Sequence, residues 1–437
     1  METRAERRKQ IFKLSLPAIF TLFGYNLIGL TDILMIGRLG STALASTGIA
    51  NFLFILLLSI PLGVSVGVQS GVARLIGQGK SNYKSAPLSA GVIIVIALSA
   101  PIIGVAWAAL PMLFAVFSEE QSMIVSGVSY LNMRLPSLVL VACSACFRAF
   151  CISCNNSAKP ILSLVVCFVV NLCLNYCLIF GNWGFPELGV TGAGVASTVA
   201  AFAGLVSYMV FSKGASIHYC FSFSQLTKPV FNSLLRLAIP QSINLFFVSL
   251  GILMMFIIVA QLGTEQLAVL NVLISFILVA NIWVEGFGSS AITLVSRNIG
   301  EKRFLCANQF GWEVAQFGTA GVFAISLAFF FNAPAIVSVF IVEPEIAKQA
   351  IVPLQLLSIW LWLDAFGKLL SFSLIGAGNS KTVMKYTVVF WWLLGLPMQW
   401  YFTIHLAYGL NAFFAVPILV TALSCGTFSY CWAKMHR

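Results

Sequence analysis

The stretch "YNLIGLTDILMIGRLG", residues Tyr25–Gly40, lies inside a long apolar segment and carries one acidic residue, Asp32. A charged side chain at the centre of a membrane-spanning helix costs about 2.5–3.5 kcal/mol on insertion scales. An acid at such a position is therefore a candidate functional group. The Gly-Arg-Leu-Gly sequence that closes the stretch is typical of a chain leaving the membrane.

The composition of the whole chain agrees with a membrane location. The chain has 437 residues, of which 60% are hydrophobic and 8% charged, and its mean hydropathy is +0.98. These values predict an integral membrane protein. The basic N-terminal segment "METRAERRKQ" runs into an apolar stretch with no small-residue cleavage site, so we expect the first span to be retained.

Apolar runs between charged or Gly/Pro/Asn-rich breaks predict an all-α protein with twelve transmembrane helices, at roughly 17–25 residues for each crossing. The predicted spans are 14–37, 45–75, 86–112, 124–153, 161–181, 190–212, 237–261, 267–297, 311–339, 349–376, 383–406 and 410–433.

The basic residues indicate the orientation of these spans. Most of the 24 lysines and arginines fall in segments on one side, where Arg148 is also placed, whereas Arg134 is expected at an outer end. The positive-inside rule then predicts cytoplasmic N- and C-termini in a cell inner membrane. Because the basic residues lie in short loops and form no separate basic domain, nucleic-acid binding is excluded as a function.

An internal repeat divides the chain. A shift of 223 residues, without a gap, aligns Lys13, Leu14 and Pro17 with Arg236, Leu237 and Pro240, and Leu39-Gly40 with Leu262-Gly263. Parallel repeats of six helices are one of the transporter architectures. We therefore predict an N-lobe at 1–213, a cytoplasmic linker at 214–235 and a C-lobe at 236–437.

Several motifs resemble those of the multidrug and toxic compound extrusion (MATE) family, of bacterial type. They are "SLPAIF" with "LTDILMIGRLGSTALA", "CNNSAKP", "NLCLNYCLIFG" with "PELGVTGAGVAST", and "LIGAGNSKT". The resemblance implies a V of two six-helix lobes around a central cleft. It also implies an alternating-access antiporter, without a cofactor, that exports hydrophobic and often cationic compounds against an inward flow of H⁺ or Na⁺.

The candidate coupling site in the N-lobe combines Asp32, Asn171 and Asn175. Asp32 is six residues before Arg38 and Asn175 is six before Gly181, so both should lie at similar height in spans that run the same way. Asn171 is one turn deeper on the same face. Many family members carry Asp where this chain has Asn175. The single acid favours H⁺ as the coupling ion, because desolvation penalises its charged form, while Na⁺ stays an alternative.

Three further groups of residues are candidates. Pro17 supplies a flexible point in span 1. Glu285, Asp364 and Lys368 form a predicted C-lobe charge cluster that is either an ion or substrate site or a structural pairing, and Asp364 with Lys368 has the spacing of an intrahelical ion pair. Residues expected to line the substrate cavity are Tyr25, Asn26, Gln241 and Asn244, the last two placed in the C-lobe.

The remaining expectations concern partners and other function classes. Cys143, Cys146, Cys151 and Cys154 read as two CxxC motifs, but they spread over about 16 Å of one helix and so cannot share a zinc ion.

No enzyme motif stands out, and the expected partners are small hydrophobic or cationic substrates and membrane lipids, with the chain a monomer. A flippase for a lipid-linked sugar is an alternative, and a receptor or channel is disfavoured by the repeat.

Overall fold

The computed structural model describes residues 3–117, 120–211, 225–341 and 343–435, and within these ranges the chain forms helices joined by short turns, with no strand. The helices are α1 (Arg4–Ile36), α2 (Ser41–Gly77), α3 (Ser85–Phe117), α4 (Gln121–Arg134), α5 (Ser137–Ser153), α6 (Ala158–Phe180), α7 (Gly189–Val210), α8 (Lys228–Ala260), α9 (Thr264–Gly300), α10 (Phe304–Phe331), α11 (Ala333–Phe340), α12 (Pro344–Gly376), α13 (Ser380–Val388), α14 (Leu396–Trp400) and α15 (Gly409–Lys434).

These helices confirm the all-helical membrane fold. Ten of them are long and apolar enough to cross a membrane, and α4 with α5 forms an eleventh, broken span with a bend of 44°. The predicted span 383–406 matches a run in which α13 and α14 alternate with two π-helical stretches, Val389–Gly395 and Tyr401–His405. A π-helical stretch shifts the hydrogen-bond ladder by one residue, so this span is irregular although it is continuous.

The internal repeat found in the sequence is also present in the backbone conformation. Helices α2 and α9 both contain 37 residues, and each follows a glycine, Gly40 or Gly263, with φ near 113° and ψ of 172°. Residues with a Cβ atom rarely adopt this backbone conformation, which explains why glycine occurs at both positions. Left-handed residues also recur at the same spacing after these helices, at Gly79 and Lys302. The two halves of the chain therefore share local turns as well as helix lengths.

The structure divides into two compact units whose boundaries fall inside helices. One unit contains the described residues from Phe20 to Phe246, and the other contains those up to Ile19 and from Phe247 onward. The first part of α1 thus belongs with the second half of the chain, and the first part of α8 with the first half. The predicted lobe boundaries at 213 and 236 are placed differently, because the sequence repeat ignores these two exchanged segments.

Most of the predicted linker 214–235 lies outside the described residues. Its last part is helical, since α8 begins at Lys228. Helix α8 thus begins nine residues before the predicted start of the span at Leu237, and the cytoplasmic linker stays a prediction.

Side-chain contacts hold the first part of α1 in the unit that contains α9 and α10. Arg7 donates to Glu313 Oε1 from Nη2 at 2.6 Å and from Nε at 3.1 Å, and both residues are buried. Ser15 Oγ donates to Ser290 Oγ at 2.9 Å. The Arg7–Glu313 ion pair and the Ser15–Ser290 hydrogen bond attach this segment to α10 and α9.

Candidate functional site

The candidate coupling site is a buried hydrogen-bonded group around Asp32. Asn175 Nδ2 donates to Asp32 Oδ1 at 2.6 Å and to Asn171 Oδ1 at 3.1 Å. Asp32 is 5% exposed, and both asparagines are fully buried. One amide group therefore uses both hydrogens to connect the acid with the second asparagine, and the structure brings the three predicted residues together.

A fourth residue, which the sequence reasoning missed, completes this group. Ser197 Oγ on α7 lies 3.4 Å from Asp32 Oδ2 and donates to it. Helices α6 and α7 pack against each other along their lengths, which brings Ser197 beside the asparagines of α6. The serine belongs to the quoted motif "PELGVTGAGVAST", so the motif marked the segment without showing which side chain faces the acid.

The two amide groups leave unused hydrogen-bonding capacity in this site. Asn175 Oδ1 and Asn171 Nδ2 are buried and have no hydrogen-bond partner among the described residues. An amide can present either its carbonyl oxygen or its NH₂ group after rotation about its last torsion. Asn175 can thus donate a hydrogen bond to an Asp32 carboxylate or accept one from an Asp32 carboxylic acid, so it can stabilise both protonation states of a titrating group.

Arg134 is the charged neighbour of this site. It is the last residue of α4, at the break before α5. Its guanidinium contacts the Tyr130 hydroxyl, lies 4.7 Å from the ring centroid of Phe54, and interacts electrostatically with Asp32. The sequence placed Arg134 at an outer helix end. In the structure Arg134 lies at the junction of α4 and α5, next to Leu135-Pro136, and its position relative to the membrane surface stays a prediction.

The predicted C-lobe cluster is present in part. Lys368 Nζ lies 2.6 Å from Asp364 Oδ2 and donates to Asn281 Oδ1 at 2.9 Å. The contact from α9 to Lys368 is therefore made by Asn281, one turn before the exposed Glu285. Inclusion of Glu285 in the cluster stays a prediction. Sequence reasoning missed Asn281, since it considered only ionisable side chains on this helix.

The predicted cavity residues have different environments. Gln241 and Asn244 are buried, and their side-chain oxygens have no hydrogen-bond partner among the described residues. Both precede Phe247 in α8, so they belong to the same compact unit as Asp32. Their placement in the C-lobe is therefore wrong. Asn26 is exposed and turns back to donate to the Leu22 carbonyl at 2.9 Å.

Two other candidates are simple to place. Pro17 lies inside α1, which continues as a helix on both sides of it, two residues before the boundary between the compact units at Ile19. Cys143, Cys146 and Cys151 are buried and free. Within the described parts of the chain, no three His, Cys, Asp or Glu residues are grouped to hold a metal ion.

Comparison with known sequences decides the family. The MatE family profile matches the chain twice, at residues 17–177 and 240–401. The chain belongs to the MatE family. The two matches begin 223 residues apart, which is the spacing of the repeat found in the sequence.

Individual relatives agree with this assignment. The probable multidrug resistance protein NorM of Thermotoga maritima is 26% identical over 418 residues, which cover 93% of this chain and 88% of the relative. An outward-facing multidrug resistance MATE family transporter of the MOP superfamily has a TM-score of 0.90 at 17% identity, with 98% of this chain and 96% of that chain covered. The Vibrio cholerae MATE transporter VcmN in the bent form has a TM-score of 0.88 at 20% identity, with 99% and 98% covered.

Family membership gives the general class of this protein. It is a multi-pass membrane transporter and not an enzyme. The fold likeness to the solved structures concerns the helix arrangement alone at these identities. The residues around Asp32 must therefore carry the argument about the transport mechanism.

Proposed function

We propose that this MatE transporter is an H⁺-coupled multidrug antiporter that exports hydrophobic, often cationic organic compounds by alternating access. The observation that carries the proposal is the buried acid Asp32, which accepts a hydrogen bond of 2.6 Å from the Asn175 amide. The names of its relatives, such as the NorM multidrug resistance protein of Thermotoga maritima, support drugs as the substrate class.

The ligand set around Asp32 favours a proton over Na⁺. Sodium bound in a protein is held by several oxygen ligands, and a second carboxylate would offset its charge better than an amide does. Here the neighbours of Asp32 are Asn175, Asn171 and Ser197, and among the described residues the charge that acts on the acid is the positive charge of Arg134. A nearby guanidinium repels Na⁺, whereas a proton joins the carboxyl group covalently and needs no further ligands.

The same residues suggest how proton and substrate alternate. An external proton neutralises Asp32, and Asn175 then turns its carbonyl oxygen to accept from the carboxylic acid. Loss of the proton to the cytoplasm restores a carboxylate that attracts a cationic substrate. A cationic substrate and a proton thus compete for one negative charge, which is the thermodynamic requirement for exchange.

Location and assembly follow from the same proposal. The multidrug resistance relatives, such as NorM of Thermotoga maritima, are bacterial, so the site of action is the inner membrane, with both termini cytoplasmic as the basic residues predict. The proposed working unit is a monomer surrounded by membrane lipids, since one chain contains both repeats.

Dye transport in reconstituted vesicles tests the proposal. Purified protein is reconstituted, tetramethylrhodamine methyl ester is supplied as a cationic dye, and a pH gradient or a Na⁺ gradient is imposed separately. We expect transport with the pH gradient and none with the Na⁺ gradient alone. Transport driven only by Na⁺ would contradict H⁺ coupling and support the Na⁺-coupled alternative. Absence of dye transport under both gradients would favour the flippase.

A further inference from the structure

Arg148 is a second arginine that the proposed coupling mechanism does not use. The sequence assigned it to the inner face, but the structure places it inside α5, five residues before Ser153 and so about 7.5 Å from the helix end. Its neighbours in the chain, Phe147 and Ala149, are buried in the core of the unit. Arg148 itself is half-buried, and its guanidinium can therefore meet a molecule that enters from outside this core.

Two tyrosines accompany the guanidinium. The Arg148 guanidinium carbon lies 5.6 Å from the ring centroid of Tyr25 on α1. Tyr208 on α7 is fully buried, its ring stacks on Phe147 at 5.8 Å, and its hydroxyl is in electrostatic range of both Arg148 and Tyr25. Ser163 and Tyr25 lie within reach of the Tyr208 hydroxyl, although neither meets strict hydrogen-bond geometry with it. Arg148, Tyr25 and Tyr208 thus form one group in which the guanidinium is the charged member.

The charge of Arg148 is not neutralised by an ion pair with any residue that the structure describes. Within the part of the chain that the structure describes, no carboxylate lies in ion-pair distance of its guanidinium. A charge within a membrane span is costly unless it is paired or functional. The Tyr25 ring stabilises the cation through its face but supplies no negative charge. What this cluster lacks is an anionic acceptor.

We propose that Arg148, Tyr25 and Tyr208 bind a carboxylate of the transported substrate. A planar carboxylate can accept two parallel hydrogen bonds from one guanidinium, and a phenol hydroxyl can donate to it as well. A single arginine balances one negative charge, which suits a carboxylate better than a multiply charged phosphate. This inference rests on the proposed function and assigns the residues that would bind the acidic group of a zwitterionic substrate.

The position of Tyr25 relative to Asp32 sets the form of such a substrate. The two residues are seven apart on α1, which is two helical turns on the same face and about 10.5 Å along the axis. A zwitterion can therefore direct its cationic group towards Asp32 and its acidic group towards Arg148. The apolar body of the molecule then lies along the helix between them.

A matched pair of dyes tests this site. Tetramethylrhodamine carries a free carboxylate and is a zwitterion, whereas its methyl ester is a cation with the same ring system. Transport of both dyes is measured in phosphatidylcholine vesicles, which contain no lipid of net negative charge that could occupy the arginine. For the wild type we expect transport of both dyes. In Arg148→Gln the ratio of zwitterion to ester transport should fall about tenfold, the loss expected for one charge-assisted contact.

Two further variants make the result specific. Arg148→Lys keeps the charge and should restore part of the ratio. Arg38→Gln removes an equal charge at an exposed residue and should leave the ratio unchanged. An unchanged ratio in Arg148→Gln, whether both rates fall together or neither falls, would overturn the carboxylate site, as would a wild type that moves only the ester. A wild type that moves neither dye would instead contradict the proposed multidrug function.

Discussion

At the scale of single residues, the hydrogen bonds of Asn175 define the chemistry of the site. Its NH₂ group spans Asp32 and Asn171 at 2.6 and 3.1 Å, so the Asp32 carboxylate is held by a neutral donor. An amide stabilises the acid without fixing its protonation state, whereas a lysine or arginine at ion-pair distance would hold it ionised. Arg134 acts from farther away and biases the site against a small bound ion such as Na⁺.

The first prediction concerns this bias. Arg134→Gln removes the positive charge that interacts with Asp32, and Na⁺ should then gain access to the carboxylate. We expect a Na⁺ gradient to drive dye transport in Arg134→Gln but not in the wild type, and Arg134→Lys should behave as the wild type. Vesicle assays with imposed Na⁺ gradients measure this directly, and equal Na⁺ insensitivity of all three proteins would count against a role of Arg134 in ion selection.

The sequence predicted part of this site because depth along a helix can be counted. Six residues separate Asp32 from Arg38 and Asn175 from Gly181, so their common height follows from the helical rise. The direction in which each helix faces cannot be counted in the same way. Ser197 and Arg134 were missed for that reason. The hydrogen bond from Ser197 and the electrostatic interaction of Arg134 with Asp32 depend on how α7 and the helix pair α4–α5 pack.

At the scale of helices, the close approach of α2 and α8 depends on glycine at Gly63 and Gly67 of α2. A Cβ atom added at Gly63 would meet the backbone nitrogen and the side chain of Ser242, which lies in α8 between the buried Gln241 and Asn244. Backbone atoms cannot move away as a flexible side chain can. Glycine at this position therefore lets the two helices approach closely enough to bury the polar residues of α8.

The second prediction follows from this contact. Gly63→Ala should lower the thermal unfolding temperature by about 5 °C, because overpacking typically costs about 1–3 kcal/mol. Gly48→Ala on the same helix is the matched control, since no atom lies within 4 Å of the added Cβ there and alanine is the better helix former. Unfolding is followed in detergent by loss of the monodisperse peak, and a Gly63→Ala protein as stable as Gly48→Ala would refute the tight contact.

The third prediction concerns the segment of α1 before Ile19. Loss of one partner of the buried Arg7–Glu313 ion pair leaves the other charge uncompensated at a cost of about 3–5 kcal/mol, whereas loss of both is close to neutral. Arg7→Met and Glu313→Gln should each lower the unfolding temperature more than the double variant does. Lys348→Met serves as the control, since its pair with Glu345 is 71% and 82% exposed and contributes little. Additive losses in the double variant would contradict a coupled pair.

At the scale of the whole molecule, duplication and exchange together explain the architecture. Helix lengths, the Gly40 and Gly263 turns and the two family matches all repeat at one spacing, and these features could be read from the sequence because they are local. The division of the units at Ile19 and Phe246 could not, since it depends on contacts such as Arg7–Glu313 between residues about 300 positions apart in the chain.

The proposed proton coupling uses the two halves of the duplicated chain unequally. Asp32 corresponds by the repeat to the buried Met255, and the second half instead places the Asp364–Lys368 pair in its own helices. A carboxylate already paired with lysine at 2.6 Å is a weak candidate for a titrating carrier. The proposed coupling therefore assigns proton exchange to one compact unit only.

The most direct test of this account is proton release on substrate binding. Tetramethylrhodamine methyl ester is added to the purified transporter in weakly buffered detergent solution, and released protons are measured with a pH indicator. We expect release from the wild type and from Glu345→Gln, which neutralises an exposed acid, and none from Asp32→Asn, which retains the shape of the side chain without the titrating group. Equal proton release from Asp32→Asn and the wild type would contradict the central claim that Asp32 carries the coupling proton.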